Sequence, residues 1–240
     1  MQVNPLPALP QGRIFAESLS LADWCRFLYF LGEKSENTMK KLVIYIHGKG
    51  GNADEANHYK TLFPDFDVIG FDYKSETPWN AKQEFSTYFD SVAVNYDEVV
   101  LIANSIGAFF SMNALGEKRI KQALFISPMV NLEKLICNMM LWANVSEDEL
   151  REKGEIATAF GETLSWKYLC YVRENPIKWN IPTHILYGSE DNLTDLETMQ
   201  DFAQKVGATL TIMQGGEHWF HTDEQMDFLD RWIEKCQNKH

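Results

Sequence analysis

Residues 99–102, Val-Val-Leu-Ile, run without a break into Ala103-Asn104-Ser105-Ile106-Gly107 and then into the apolar stretch 108–115. The β-branched run reads as a fully buried strand and the stretch after it as a helix, so the chain has few residues in which to turn from one to the other. Such a turn strains its central residue and leaves room only for small residues two positions before and two after it. Ala103 and Gly107 meet that demand, and Ser105 stands at the apex with its hydroxyl thrust outward, the setting of a nucleophile. A small-x-Ser-x-Gly string arises by chance in roughly one in five chains of this length at average composition. Its weight therefore rests on what the other strand ends carry.

The same alternation recurs along the chain. Leu42-Val43-Ile44-Tyr45-Ile46 is a buried-strand pattern that ends in His47-Gly48-Lys49-Gly50-Gly51, ahead of a helical stretch at 54–63. A strand at 67–73, a loop with Pro78 and Trp79, and a helix at 81–94 precede the Ser105 segment. After it come a strand at 122–127 stopped by Pro128, a strand at 183–187, a helix at 195–206, a strand at 209–213 and a closing helix at 223–235. Strands alternating with helices imply an α/β fold, a doubly wound and mostly parallel sheet covered on both faces, with ligands bound beyond the strands' carboxyl ends.

Between 129 and 182 the pattern changes to helical segments at 132–142, 147–153 and 164–172 with no clear strand, which marks an insertion. It is rich in Met and aromatic side chains suited to an apolar pocket, and it is expected to act as a lid that excludes water. Met129, Met139, Trp142 and Trp166, with Trp79 from the earlier loop, are the candidate pocket residues. Ordinary helix packing is the alternative for many of them.

The 240 residues suffice for one large domain, expected over 39–240. Residues 1–38 begin as a proline-spaced arm and continue into a helix at 20–31, started by Ser20 and Asp23 and packed on or beside the domain. A homodimer through the broad apolar surface of that helix, or an interfacial anchor, is the alternative. Twenty-two Lys and Arg against 34 Asp and Glu give a net charge of −12, which repels nucleic acid and anionic membrane. Cys25, Cys137, Cys170 and Cys236 are widely spaced and form no Cys-x-x-Cys pair, as expected of reduced thiols. With no bilayer-spanning stretch and no signal-peptide pattern, the expected location is cytoplasmic.

Three glycines in the four positions 48–51 let backbone N–H groups converge on a phosphate or a developing oxyanion, with a simple tight turn as the alternative. The loop is not a P-loop, since no Gly-Lys-Ser/Thr ends it, and Gly48-x-Gly50 lacks the third glycine of a dinucleotide fingerprint. The late strands end in Gly188-Ser189-Glu190-Asp191 and Gly215-Gly216-Glu217-His218.

With Ser105, Asp191 and His218 following three strands in that order, the sequence resembles the α/β-hydrolase family over about residues 40–236. Ala103 stands where the family's Gly-x-Ser-x-Gly has its first glycine, adding one methyl group. The resemblance implies a sheet of the α/β-hydrolase type with a helical lid at 129–182, and a serine hydrolase of the esterase or lipase kind. It implies Ser105 as nucleophile, His218 as base and Asp191 as the carboxylate that orients the base. Backbone N–H groups of Ile106 and Lys49, with Gly50 second, would form the oxyanion hole.

His221 competes with His218, and Glu190 and Asp195 with Asp191, although Asp195 reads as a helix-start residue capped by Thr194. His47 reads as support for its loop, and His58, His184 and His240 as structural or solvated. No cofactor is expected, and no set of His, Cys and carboxylates has metal-ligand spacing. The expected substrate is a small-molecule carboxylic ester. A thioesterase, an amidase or peptidase, a C–C hydrolase, and a non-catalytic ligand-binding protein on the same fold are the alternatives. Ser rather than Asp at 105 argues against dehalogenase or epoxide chemistry, and Ser rather than Cys against the dienelactone type.

Overall fold

The structure, a computed structural model, describes residues 39–237. The expected arm and helix of residues 1–38, the dimer contact read from that helix, Cys25 and His240 lie outside the described residues.

Strand β1 (Lys41–Ile46) leads through the glycine loop and a 3₁₀ turn at Ala53–Glu55 into the one-turn helix α1 (Ala56–Tyr59). Then follow β2 (Asp67–Phe71), α2 (Pro78–Ala93), β3 (Glu98–Asn104), α3 (Ser105–Leu115) and β4 (Gln122–Ile126). The insertion contributes α4 (Leu132–Trp142), α5 (Glu147–Lys153), the short strands β5 (Glu155–Ala157) and β6 (Thr163–Ser165), and α6 (Trp166–Glu174). β7 (Thr183–Gly188), α7 (Leu196–Val206), β8 (Thr209–Met213) and α8 (Asp223–Gln237) close the described chain.

Six strands form one parallel sheet in the order β2-β1-β3-β4-β7-β8. Alternate residues of a strand point to opposite faces, so runs without polar residues require cover on both sides. Leu42, Ile44, Ile46, Leu101, Phe125 and Tyr187 pack on one face with Phe85 of α2, Phe109 of α3 and Met199 of α7. Val43, Tyr45, Ile102, Leu124 and Leu186 pack on the other with Tyr59 of α1 and Trp232 and Ile233 of α8. The chain leaves β1 toward β2 at one edge and returns to β3 on the other side of β1, and a crevice opens at such a reversal beyond the carboxyl ends. The glycine loop and Ser105 flank it.

The insertion has a core of its own, formed by Ile136, Met140, Leu150, Leu164 and Leu169. It contains the antiparallel pair β5–β6, joined at Ile156↔Leu164, where the sequence shows no clear strand. Three-residue strands are too short to display a period of two, and the second of them moves the start of the expected 164–172 helix to Trp166. The helical stretch expected at 54–63 shrinks to a 3₁₀ turn and one α-turn, because the chain closes again at Lys60 and Phe63 to enter β2.

The cap of α7 also differs from expectation. Asp195, not Thr194, takes the extended cap conformation and accepts the Thr198 N–H at 2.9 Å. Thr194 is buried, and its carbonyl accepts the Tyr187 hydroxyl at 2.8 Å. Cys137 and Cys170 are free thiols. No helix among the described residues is long and apolar enough to cross a membrane.

The end of β7 presses on the loop after β8. A Cβ at Gly188 would stand 2.3 Å from the Gly216 carbonyl oxygen and 2.5 Å from that of Glu217. Gly188→Ala must push the strand and loop apart, and a loss of about 1–3 kcal/mol is expected in urea denaturation. Asp195→Ala is expected to cost about 1 kcal/mol at pH 7 through loss of the cap. The Lys134 ammonium, and then the Thr198 N–H, hold the Asp195 carboxyl down to about 2. A carboxyl depressed on folding stabilises above the unfolded carboxylate range, about 3.9, and that contribution is lost as pH falls through the folded value. The stability gap between the two proteins should therefore narrow between about pH 4 and 2, read by denaturation at each pH.

Candidate active site

Ser105 directly follows β3 and begins α3 with a φ of 48°, in the left-handed region that non-glycine residues rarely occupy. The cause is steric. A Cβ at Gly107 would lie 2.3 Å from the His47 carbonyl oxygen and 2.9 Å from Ile46 Cγ2, so the first turn of α3 rests directly on the end of β1. Ala103 is wholly buried on the strand side of the turn. The Ser105 carbonyl is tied down by the Met129 N–H at 3.1 Å.

The Ser105 Oγ lies 2.8 Å from His218 Nε2, and His218 Nδ1 lies 2.7 Å from Asp191 Oδ2. A carboxylate can only accept, so Nδ1–H donates to Asp191 and Nε2 is left to accept the serine hydroxyl. The Asp191 side chain is 0% exposed and would be costly to bury unpaired. It is satisfied by His218 and by the N–H groups of Leu193 at 2.8 Å and Thr194 at 3.0 Å on Oδ1. The loops that carry Asp191 and His218 are laced together. Ser189 N–H donates to Met213 O at 2.9 Å, Glu190 N–H to Gly216 O at 2.8 Å, and Gly215 N–H to Ser189 Oγ at 2.9 Å.

The competing residues stand apart. His221 directs Nδ1 at the Trp219 carbonyl at 2.7 Å and lies 3.5 Å from Glu217. Glu190 is exposed, and Asp195 is the cap of α7, paired with Lys134 at 2.7 Å. His47 turns Nδ1 to the Gly48 carbonyl at 2.8 Å and stacks on Tyr73, ring centroids 4.3 Å apart. Among the described residues no group of three His, Cys, Asp or Glu is arranged to hold a metal ion.

The glycine loop lies against the serine, since a Cβ at Gly48 would stand 3.3 Å from Ser105 Cβ. The Ile106 N–H opens α3, where the first N–H groups have no partner within the helix and the dipole favours negative charge. Lys49 and Gly50 are exposed, and the Lys49 side chain faces solvent at 71% exposure, its ammonium paired with Glu162 of the insertion at 2.6 Å.

The candidate pocket residues are dispersed. Met129 is buried beside Ser105 through its backbone bond. Met139 and Trp166 pack on the insertion's own core, and the Arg151 guanidinium lies over the Trp166 ring. Trp142 is exposed, edge-on to Phe160, and Trp79 packs against Tyr168 and Tyr171 under the Lys167 ammonium. Three contributors were not singled out in the sequence. Tyr73 donates its hydroxyl to the His47 carbonyl at 3.0 Å, and Tyr45 and Glu55 lie behind the glycine loop. A tyrosine in an apolar strand carries no sequence signal that separates such a bond from ordinary core packing.

No family model matches the chain. It is 22% identical over 165 residues to “Putative esterase/lipase 3” of Mycoplasma genitalium, an alignment that covers 63% of this chain and spans only 58% of the length of that protein. Among solved structures it is similar to Est1E from Butyrivibrio proteoclasticus, with a TM-score of 0.69 and 18% identity over 85% of this chain and 89% of that one. It is also similar to alpha/beta hydrolase domain-containing protein 10 from mouse, with a TM-score of 0.66 and 15% identity over 82% of this chain and 90% of that one. Sheet order, the strained turn at Ser105 and these structural likenesses together show that the chain has the α/β-hydrolase fold.

Proposed function

We propose that the chain is a serine hydrolase that cleaves a small carboxylic ester through an acyl-enzyme. The observation that carries this reading is the unbroken line from Ser105 Oγ through both nitrogens of His218 to the buried Asp191. A serine hydroxyl is a weak nucleophile at neutral pH and needs a base within hydrogen-bond reach. In this reading His218 takes the hydroxyl proton as Ser105 Oγ bonds to the ester carbonyl carbon, and Asp191 stabilises the imidazolium. The carbonyl electrons move onto oxygen, which accepts N–H bonds from Ile106 and from the glycine loop at Lys49 or Gly50. As the carbon–alkoxy bond breaks, His218 returns the proton to the leaving alcohol. Water then repeats the sequence on the acyl-serine and releases the acid.

The insertion at 129–182 is proposed as a lid. The Lys49–Glu162 pair and the contacts of Trp79 with Tyr168 and Tyr171 support this reading, since they tether it to segments that enclose the crevice. A reducing, cytoplasmic setting accords with the free thiols of Cys137 and Cys170.

Ser105→Ala is expected to lose about three to six orders of magnitude in kcat on short-chain esters while its circular dichroism stays that of the parent. Retained turnover, or a fluorophosphonate adduct mapped to another residue, would sink the assignment. The attack of Ser105 needs a base, so His218→Ala should lower kcat by a comparable factor with the fold intact, and undiminished turnover would remove His218 from the role. Running esters and thioesters of graded acyl length in the same assay separates the two acyl-transfer readings.

A further inference from the structure

A chain of polar groups, with Tyr45 buried and Glu55 and Asn104 half-buried, joins the glycine loop to the serine turn. Tyr45, 1% exposed in β1, donates its hydroxyl to Glu55 Oε2, and the Asn104 side-chain amide donates to the Tyr45 hydroxyl at 2.9 Å. The other carboxylate oxygen, Glu55 Oε1, accepts the Asn52 N–H at 3.1 Å, and Asn52 Oδ1 in turn accepts the Asp54 N–H at 2.9 Å. This reciprocal box caps the 3₁₀ turn. Gly51 rests on the same carboxylate: a Cβ there would stand 2.7 Å from Glu55 Oε1 and 3.0 Å from His47 Cβ. The Gly51 N–H closes the loop onto the Gly48 carbonyl at 3.2 Å.

We infer that Glu55, acting through Tyr45 and Asn104, is a positioning residue that fixes the glycine loop relative to Ser105 and so sets the oxyanion site; this rests on the hydrolase reading above. Asn104 immediately precedes Ser105, and Tyr45 lies two residues before His47, where the loop begins. The three side chains therefore connect the two backbone segments between which a tetrahedral oxyanion would sit. Donors act on developing charge only if held in place beforehand, and an error of about 1 Å can cost on the order of a hundredfold. A carboxylate suits the position because it meets two donors with acceptors alone, whereas an amide would set its NH₂ against one of them. The three side chains bond to one another and to the Asn52 N–H of the loop, so loss of the network should change how the oxyanion is held more than how the substrate is bound.

The test compares Tyr45→Phe, Glu55→Gln and the double variant with the parent. Each single variant is expected to lower kcat by about tenfold to a hundredfold with KM within about threefold. The double variant should be no worse than the poorer single one, because both break one unit. Affinity for an aryl trifluoromethyl ketone, which forms a tetrahedral adduct on serine, should fall by the same factor as kcat/KM. Hydrogen exchange at the Gly51 and Asn52 amides should quicken while the β1 and β3 amides keep their protection. Glu55 sits in a turn at the surface, so Glu55→Gln decides the matter if Tyr45→Phe does not fold.

Loss of activity in Glu55→Gln that merely tracks the unfolded fraction overturns the inference, as does unchanged kcat with unchanged loop exchange. Fluorophosphonate labelling of the parent keeps the two readings distinct. If Ser105 is not labelled, the hydrolase reading falls together with the oxyanion role, and the exchange of Gly51 and Asn52 still decides whether Glu55 holds the loop.

Discussion

The approach of helix α3 to the end of β1, with Gly107 pressed on the His47 backbone, is the constraint on which the site depends. If the helix began further out, Ser105 could relax to ordinary strand or helix angles, and its hydroxyl would lie along the sheet edge instead of standing above it. The same approach brings the glycine loop, which begins one residue after His47, against the serine. One steric contact thus places two parts of the site at once. The strain it imposes is met by the rigidity around it: Ala103 is sealed inside the sheet, and Met129 holds the serine carbonyl.

A second close approach, at Gly188, does the same for the other half of the site. Asp191 leaves β7 and His218 leaves the loop after β8, and the backbone bonds of Ser189, Glu190 and Gly215 fix one against the other. The Asp191 side chain is fully enclosed, and its two oxygens are met by the N–H groups of Leu193 and Thr194 and by one imidazole nitrogen.

The parts of the fold legible in the sequence were those written in local pattern. The six strands of the main sheet are short apolar runs bounded by glycine, proline or polar turns, and the serine turn declares itself through Ala103 and Gly107. Ser105, Asp191 and His218 could be paired because each follows a strand in a parallel sheet, which gathers strand ends on one edge. What escaped was decided by contacts between neighbouring elements, which no local period records. Thr194 resembles a cap until Tyr187 claims its carbonyl and burial removes its side chain, leaving Asp195 to cap α7. The β5–β6 pair is held by only three residues a side. Glu55 resembles any acidic residue at a helix start, and its bond to Tyr45 appears only once β1 and the turn are folded together.

The separate core of the insertion has a consequence for how such a protein can change over generations. Ile136, Met140, Leu150, Leu164 and Leu169 stabilise the segment among themselves, so the main sheet does not rely on its outer residues to stay folded. Exposed positions such as Leu141, Trp142 and Phe160 are therefore open to replacement at little thermodynamic penalty. The outer face of the insertion can therefore drift in sequence while the strand ends that carry Ser105, Asp191 and His218 keep their geometry, so the two parts of the chain can vary independently.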